Sequence, residues 1–145
     1  MLYLKLQDSA EWYGNEKECG EAIRDFCART GIPRSDVVFT TKLETNRGFE
    51  AAKKSIRLSL ELCGLGYIDI YLLHSPLGGP RLRKESWRAA TDAQAKGLVK
   101  TIGVSNYGLE HLRELAADEH AVVPALNQVL CLLFTLLPWI NANYL

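Results

Sequence analysis

The chain has 145 residues, 48% apolar and 23% charged, enough for one compact domain with its own core. Lysine plus arginine balances aspartate plus glutamate at 17 each, so no basic surplus points to nucleic acid or an acidic membrane surface. The four cysteines form no CxxC pair and the three histidines do not join them at metal-ligand spacing, which favours a reducing cytoplasm over a disulfide scaffold and predicts no metal site.

In chain order, residues 2–6 form a weak strand candidate; they are too few for the apolar segment of a secretory signal. Residues 15–30 carry Cys19, Ile23, Phe26, Cys27 and Thr30 at helical spacing, closed by Gly31 and Pro33. A β-branched run over 37–41 predicts a second strand. Phe49, Ala52, Ile56, Leu60 and Cys63 mark a helix over 48–63, ended by Gly64 and Gly66. Residues 68–73 are apolar apart from Asp69, as expected of a strand buried on both faces. A Pro/Gly loop over 76–80 precedes a helix over 84–96 with Trp87, Ala90 and Ala93 inward. The basic knot Arg81, Arg83, Lys84 reads as a solvated loop. A strand over 98–104, a short helix over 109–117 and a strand over 124–129 complete the pattern. The most apolar stretch, 129–140, is broken by Thr135 and Pro138 and is shorter than the ~20 residues of a membrane span.

The repeat is a βα unit of roughly thirty residues, which predicts a parallel sheet with helical crossovers. Two architectures use it, an open doubly wound sheet and a closed barrel of about eight βα units in ~250 residues. This chain supplies too few strands for the second, so it is either a complete open sheet or part of a barrel.

In such folds function gathers at the carboxyl ends of the strands. There the sequence places Asp8 and Tyr13, then Lys42, His74, Ser105 with Asn106, and Gln128. Each alone has an ordinary explanation. Asp8 suits a turn, Tyr13 an amphipathic surface, Lys42 a solvated strand end, His74 a hydrogen-bonded core histidine, and Ser105-Asn106 a helix cap.

Together they carry a resemblance. The stretches Asp8-Ser9-Ala10-x-x-Tyr13-Gly14-Asn15-Glu16, Thr41-Lys42-Leu43, Tyr71-Leu72-Leu73-His74-Ser75-Pro76, Lys96-Gly97-x-x-Lys100-x-Ile102-Gly103-Val104-Ser105-Asn106 and Asn127-Gln128-Val129 resemble, in order and spacing, the aldo-keto reductase family. The resemblance spans Asp8 to Val129. It implies a (β/α)8 barrel that binds NADPH at its C-terminal mouth and reduces aldehydes or ketones. By the same resemblance Tyr13 is the general acid, Lys42 its neighbour, Asp8 the partner of Lys42 and a cofactor contact, and His74 the residue that orients the substrate carbonyl. Ser105, Asn106 and Gln128 hold the nicotinamide carboxamide. Trp12, beside Tyr13, is weighed evenly between lining the substrate pocket and packing. The roles agree with simple physics. A free phenol titrates near pH 10 and a nearby ammonium favours its ionised form, while hydroxyl and amide side chains match an amide's donors and acceptors.

Two departures qualify the expectation. The family has a further strand and glycine loop before the one leading to Asp8, where residues 1–7 stand here. After Val129 it continues with an acidic residue and a His-Pro pair, where Leu130-Cys131-Leu132 follows here. The expected fold is thus α/β, a partial (β/α)8 TIM barrel without the first and last two strands. Residues 1–129 form the incomplete barrel and 130–145 a divergent hydrophobic tail, read first as intron or shifted frame and second as a cover for an open edge. The cofactor site is expected to be incomplete and the chain weakly active or inactive. The alternative function is a non-catalytic fragment that partners an intact homologue, with self-association through open sheet edges.

Overall fold

The computed structural model describes residues 5–117 and 122–129. The expected tail over 130–145, with Cys131, lies outside these, as do His120, Met1 and residues 2–4 of the expected first strand. Among the described residues five strands, β1 (Leu6–Asp8), β2 (Val38–Leu43), β3 (Ile68–Leu73), β4 (Val99–Ser105) and β5 (Asn127–Gln128), pair in parallel and in chain order. Between them run α1 (Glu16–Thr30), α2 (Phe49–Cys63), α3 (Pro80–Ala95) and α4 (Leu109–Ala116). A parallel sheet whose spatial order equals its chain order, with a helix after each of its first four strands, curls as part of a (β/α)8 barrel and has no doubly wound switch point. The open-sheet alternative falls on this topology.

The period of two in the strands decides which residues meet the helices. Phe39 and Leu43 of β2, Tyr71 and Leu73 of β3 and Ile102 and Val104 of β4 join Ile23, Ala52, Ile56, Ala89, Ala90 and Ala93 in one helix-facing core. Lys42 and Leu72, one residue out of phase, are buried outside that cluster. Asp69, the polar break in β3, accepts hydrogen bonds from Arg34 Nη2 at 2.6 Å, Lys100 Nζ at 3.2 Å and the Phe39 amide at 3.0 Å. A buried carboxylate is tolerated because it is paired. Trp87 packs in the core, as expected, and its indole N–H donates to the Val122 carbonyl at 2.9 Å. Cys19 and Cys63 are buried and Cys27 packs against the core.

Several boundaries differ from the sequence reading; strand β2 runs over Val38–Leu43 rather than 37–41, so Lys42 lies within it. Among the described residues the first strand is Leu6–Asp8, ending two residues past the expected end at Leu6, so Asp8 is its last residue. Its place is fixed by backbone pairing of Leu6 to Val38 and Asp8 to Thr40, which an apolar pattern cannot register. Helix α3 starts at Pro80, where the missing N–H is one the first turn leaves unpaired anyway. The basic knot therefore lies on a helix. Arg83 is buried, paired with Glu114 of α4 and donating to the Pro76 carbonyl at 2.7 Å. Strand β5 is only Asn127–Gln128.

Helices α1 and α2 touch at Gly20. A Cβ there would stand 1.9 Å from the Cys63 carbonyl oxygen, which also accepts from Arg24 Nη1 at 2.6 Å. The obstacle is backbone, so Gly20→Ala is expected to destabilise the fold by about 1–3 kcal/mol in urea denaturation. An unchanged midpoint would mean that the two helices can part without cost.

Candidate active site

The strand register sets the site. Leu43 pairs with Leu73, Leu73 with Val104, and Val104 with Asn127, so β2 to β5 end on one line. Asp8, Lys42, His74, Ser105, Asn106 and Gln128 all lie at that carboxyl edge.

Lys42 projects from the last turn of the pleat in β2. Its Nζ donates to Asp8 Oδ1 at 2.9 Å, Asp8 Oδ2 at 2.8 Å and the Ser9 carbonyl at 2.8 Å. The lysine side chain is 2% exposed and that of Asp8 37%, so the ammonium is enclosed and the carboxylate faces water.

Tyr13 comes from a single 3-10 turn, Glu11–Tyr13, between β1 and α1. Gly14 closes that turn at φ 64°. The turn is pinned by Glu11, whose carboxylate accepts from the Glu44 amide at 3.0 Å and Ser55 Oγ at 3.1 Å. Ser9 Oγ donates to Asn15 Oδ1 at 2.7 Å, and Thr41 Oγ1 to Glu16 Oε1 at 2.5 Å, which seats the start of α1 on β2. The outcome is a half-exposed tyrosine ring with Lys42 Nζ 5.1 Å from its centroid.

His74 follows β3 directly. Its amide donates to the Leu43 carbonyl at 3.2 Å, and its ring meets those of Tyr13 and Trp12 edge-on, with centroids 5.8 and 6.2 Å apart. Trp12 is 72% exposed, so it is no core residue; it stands at the rim of the cluster. Burial lowers the pKa of His74, and the Lys42 ammonium lowers it further against an opposing pull from Asp8. The neutral imidazole keeps one N–H donor and one acceptor. The sign for stability follows. Above the ordinary value of 6.5 His74 is neutral in both states. As pH falls through that value the unfolded chain takes the proton first, so stability falls until the lower folded pKa is passed. We expect native protein to lose stability in that window and His74→Gln to lose less, in urea titrations at a series of pH values. Parallel curves would show that His74 does not carry the effect.

Ser105 Oγ donates to the Gln128 carbonyl at 2.8 Å, and the Asn106 amide N–H to the same carbonyl at 3.0 Å. Asn106 has φ 60°, a left-handed conformation that asparagine tolerates better than most residues. This turns its Nδ2 toward the His74 carbonyl and Ser105 Oγ, each at 3.1 Å. Ser105 Oγ and the Asn106 side-chain amide thus lie together at the edge that carries Lys42, and Gln128 joins them through its backbone carbonyl. Among the described residues no group of three or more His, Cys, Asp or Glu side chains converges to hold a metal, and no helix is long and apolar enough to cross a membrane.

The geometry brings Asp8, Tyr13, Lys42 and His74 together and sets Ser105, Asn106 and Gln128 beside them. Sequence reasoning gave no role to Glu11, nor to Glu16 and Asn127 although both stand in its motifs, and these residues hold the arrangement. Asn127 exchanges hydrogen bonds with the Tyr107 backbone, accepting at 3.3 Å and donating at 2.8 Å. Its signal in the sequence was its place in the Asn127-Gln128-Val129 stretch.

A parallel βα half-barrel with a lysine–carboxylate pair, a tyrosine and a histidine at its carboxyl edge is part of a (β/α)8 barrel with a polar cluster at the edge where such barrels gather function. Comparison with known proteins makes this specific. Residues 4–142 match the model of the aldo/keto reductase family, and the chain belongs to that family. It is 44% identical over 122 residues to an uncharacterized oxidoreductase of Schizosaccharomyces pombe, covering 84% of this chain and 43% of that protein. It is also 44% identical over 138 residues to one of Saccharomyces cerevisiae, covering 92% and 47%. Among solved structures it is similar to an aldo/keto reductase from Brucella melitensis, with TM-score 0.80, 38% identity and coverage of 88% of this chain and 47% of that one. It is likewise similar to a Bombyx mori aldo-keto reductase in complex with NADP, with TM-score 0.79, 28% identity and coverage of 88% and 44%. The chain thus spans somewhat under half the length of these relatives.

Proposed function

We propose that this chain carries the acid–base half of an NADPH-dependent reduction of aldehydes or ketones to alcohols. The observation that carries the reading is the enclosed Lys42 ammonium, held by both Asp8 oxygens and placed 5.1 Å from the Tyr13 ring, with His74 against the same ring. When bound, the nicotinamide supplies a hydride to the carbonyl carbon. The Tyr13 hydroxyl gives its proton to the carbonyl oxygen as that oxygen becomes an alkoxide. The Lys42 amine stands beside the ring that gives up the proton, and Asp8 holds Lys42 in place. Neutral His74 donates a hydrogen bond to the carbonyl oxygen and fixes the face presented to the hydride. Ser105, Asn106 and Gln128 hold the carboxamide, Asp8 adds a polar contact beside it, and Trp12 forms an apolar wall for the substrate. The Bombyx mori relative's complex with NADP supports the choice of cofactor. The free thiols Cys19, Cys27 and Cys63 suit a reducing cytoplasm.

The test follows NADPH oxidation by the purified chain with a reactive aldehyde, beside Tyr13→Phe. Turnover that depends on Tyr13 supports the reading. A folded chain without turnover favours the second reading, a non-catalytic partner of a longer homologue.

A further inference from the structure

The segment that begins with His74 is held in an unusual way. Four consecutive carbonyls each accept from a side chain outside the segment. Asn106 Nδ2 reaches the His74 carbonyl at 3.1 Å, Asn46 Nδ2 that of Ser75 at 2.8 Å, Arg83 Nη1 that of Pro76 at 2.7 Å, and Asn46 Nδ2 that of Leu77 at 2.7 Å. Connecting segments ordinarily leave their carbonyls to water. Two of the three donor residues are themselves enclosed, Asn46 at 2% and Arg83 at 7% exposure, while Asn106 is exposed. Both Glu114 oxygens grip the Arg83 guanidinium from α4, with Nε to Oε1 at 3.2 Å. At Gly78, with φ 107°, a Cβ would stand 2.6 Å from the Asn46 carbonyl oxygen, so the segment lies directly on the Asn46 backbone. The segment contributes little to the core in return, since Leu77 is largely exposed. What the clamp fixes is the path of the chain leaving His74. Asn46 sits four residues beyond Lys42, so the clamp ties the strand that carries the lysine to the residue that must face it.

We propose that Asn46, backed by the Arg83–Glu114 pair, is a positioning residue that fixes the His74 ring against Tyr13 and Lys42. Strand β3 delivers the histidine to the site; the clamp sets its aim. The catalytic consequence rests on the reductase reading, and the positional one does not. Asn46→Asp preserves side-chain shape and removes both donated bonds. In the full chain we expect the ring-to-ring NOE between His74 and Tyr13 to be lost and the His74 ring resonances to move. We expect kcat for an aldehyde to fall about tenfold or more, in line with the cost of small misplacements, while KM for NADPH is unchanged. Should N46D not fold, Glu114→Gln loosens the same clamp from α4 and is expected to weaken the NOE in the same direction. A folded variant that keeps the native NOE and ring shifts, with only a lower unfolding temperature, overturns the proposal, because the clamp is then merely structural. Loss of the NOE with no turnover in the native chain sinks the reductase reading and leaves the positional one standing. A retained NOE with native turnover does the reverse.

Discussion

Tyr13→Phe is expected to lower kcat for carbonyl reduction by about a hundred- to ten-thousand-fold, the range that a positioned acid contributes. The substitution removes one hydroxyl and nothing else that the structure uses. The ring keeps its edge contact with His74 and its place 5.1 Å from Lys42 Nζ. The turn that carries it is pinned by Glu11 and Gly14, neither of which is touched. Because the tyrosine is half exposed, the fold should be indifferent to the change. Loss of turnover with unchanged KM for NADPH and an unchanged unfolding midpoint would identify the hydroxyl as the proton source. Robust turnover in the variant would mean that the proton comes from elsewhere, and the assignment would fall.

The Lys42–Asp8 pair should respond unequally to the removal of either partner. Asp8→Ala leaves an ammonium that is 2% exposed with, among the described residues, the Ser9 carbonyl at 2.8 Å as its one remaining hydrogen-bond acceptor. An uncompensated buried charge of this kind costs about 3 kcal/mol. Lys42→Met instead places an apolar chain of similar length in an enclosed channel and leaves a carboxylate that water already reaches. Its cost should stay within about 1 kcal/mol, since replacing a buried ion by a packed apolar side chain is often neutral. Both variants should lose carbonyl reduction. Urea denaturation of the two proteins side by side decides the matter: equal costs, or a greater cost for Lys42→Met, would contradict the enclosure of the lysine.

Much of this was legible in the residues because it rests on local rules. The helical spacing of Phe49, Ala52, Ile56 and Cys63 and the apolar run over Ile68–Leu73 gave elements that the structure reproduces closely. The strand-end placement of Lys42 and His74 followed from those elements. The first strand was misplaced because its residues, Leu6, Gln7 and Asp8, carry no apolar period, and an edge strand is registered by backbone pairing with its neighbour. Arg83 was read as solvated because its partners are 7 and 31 residues away in sequence, and no window-based pattern links a guanidinium to Pro76 and Glu114.

The sequence by itself determined the βα rhythm, the residue types at the strand ends and, through them, the family. Those depend on periodicity and on short motifs, which a linear reading can see. Only the tertiary structure decided that Lys42 is enclosed while Asp8 is wet, that His74 is lowered in pKa by burial and a neighbouring ammonium, and that its own carbonyl and the three after it are clamped by Asn106, Asn46 and Arg83. Burial, distance and hydrogen-bond partnership belong to pairs of groups far apart in the chain, and parallel strand register is what brings those pairs within reach.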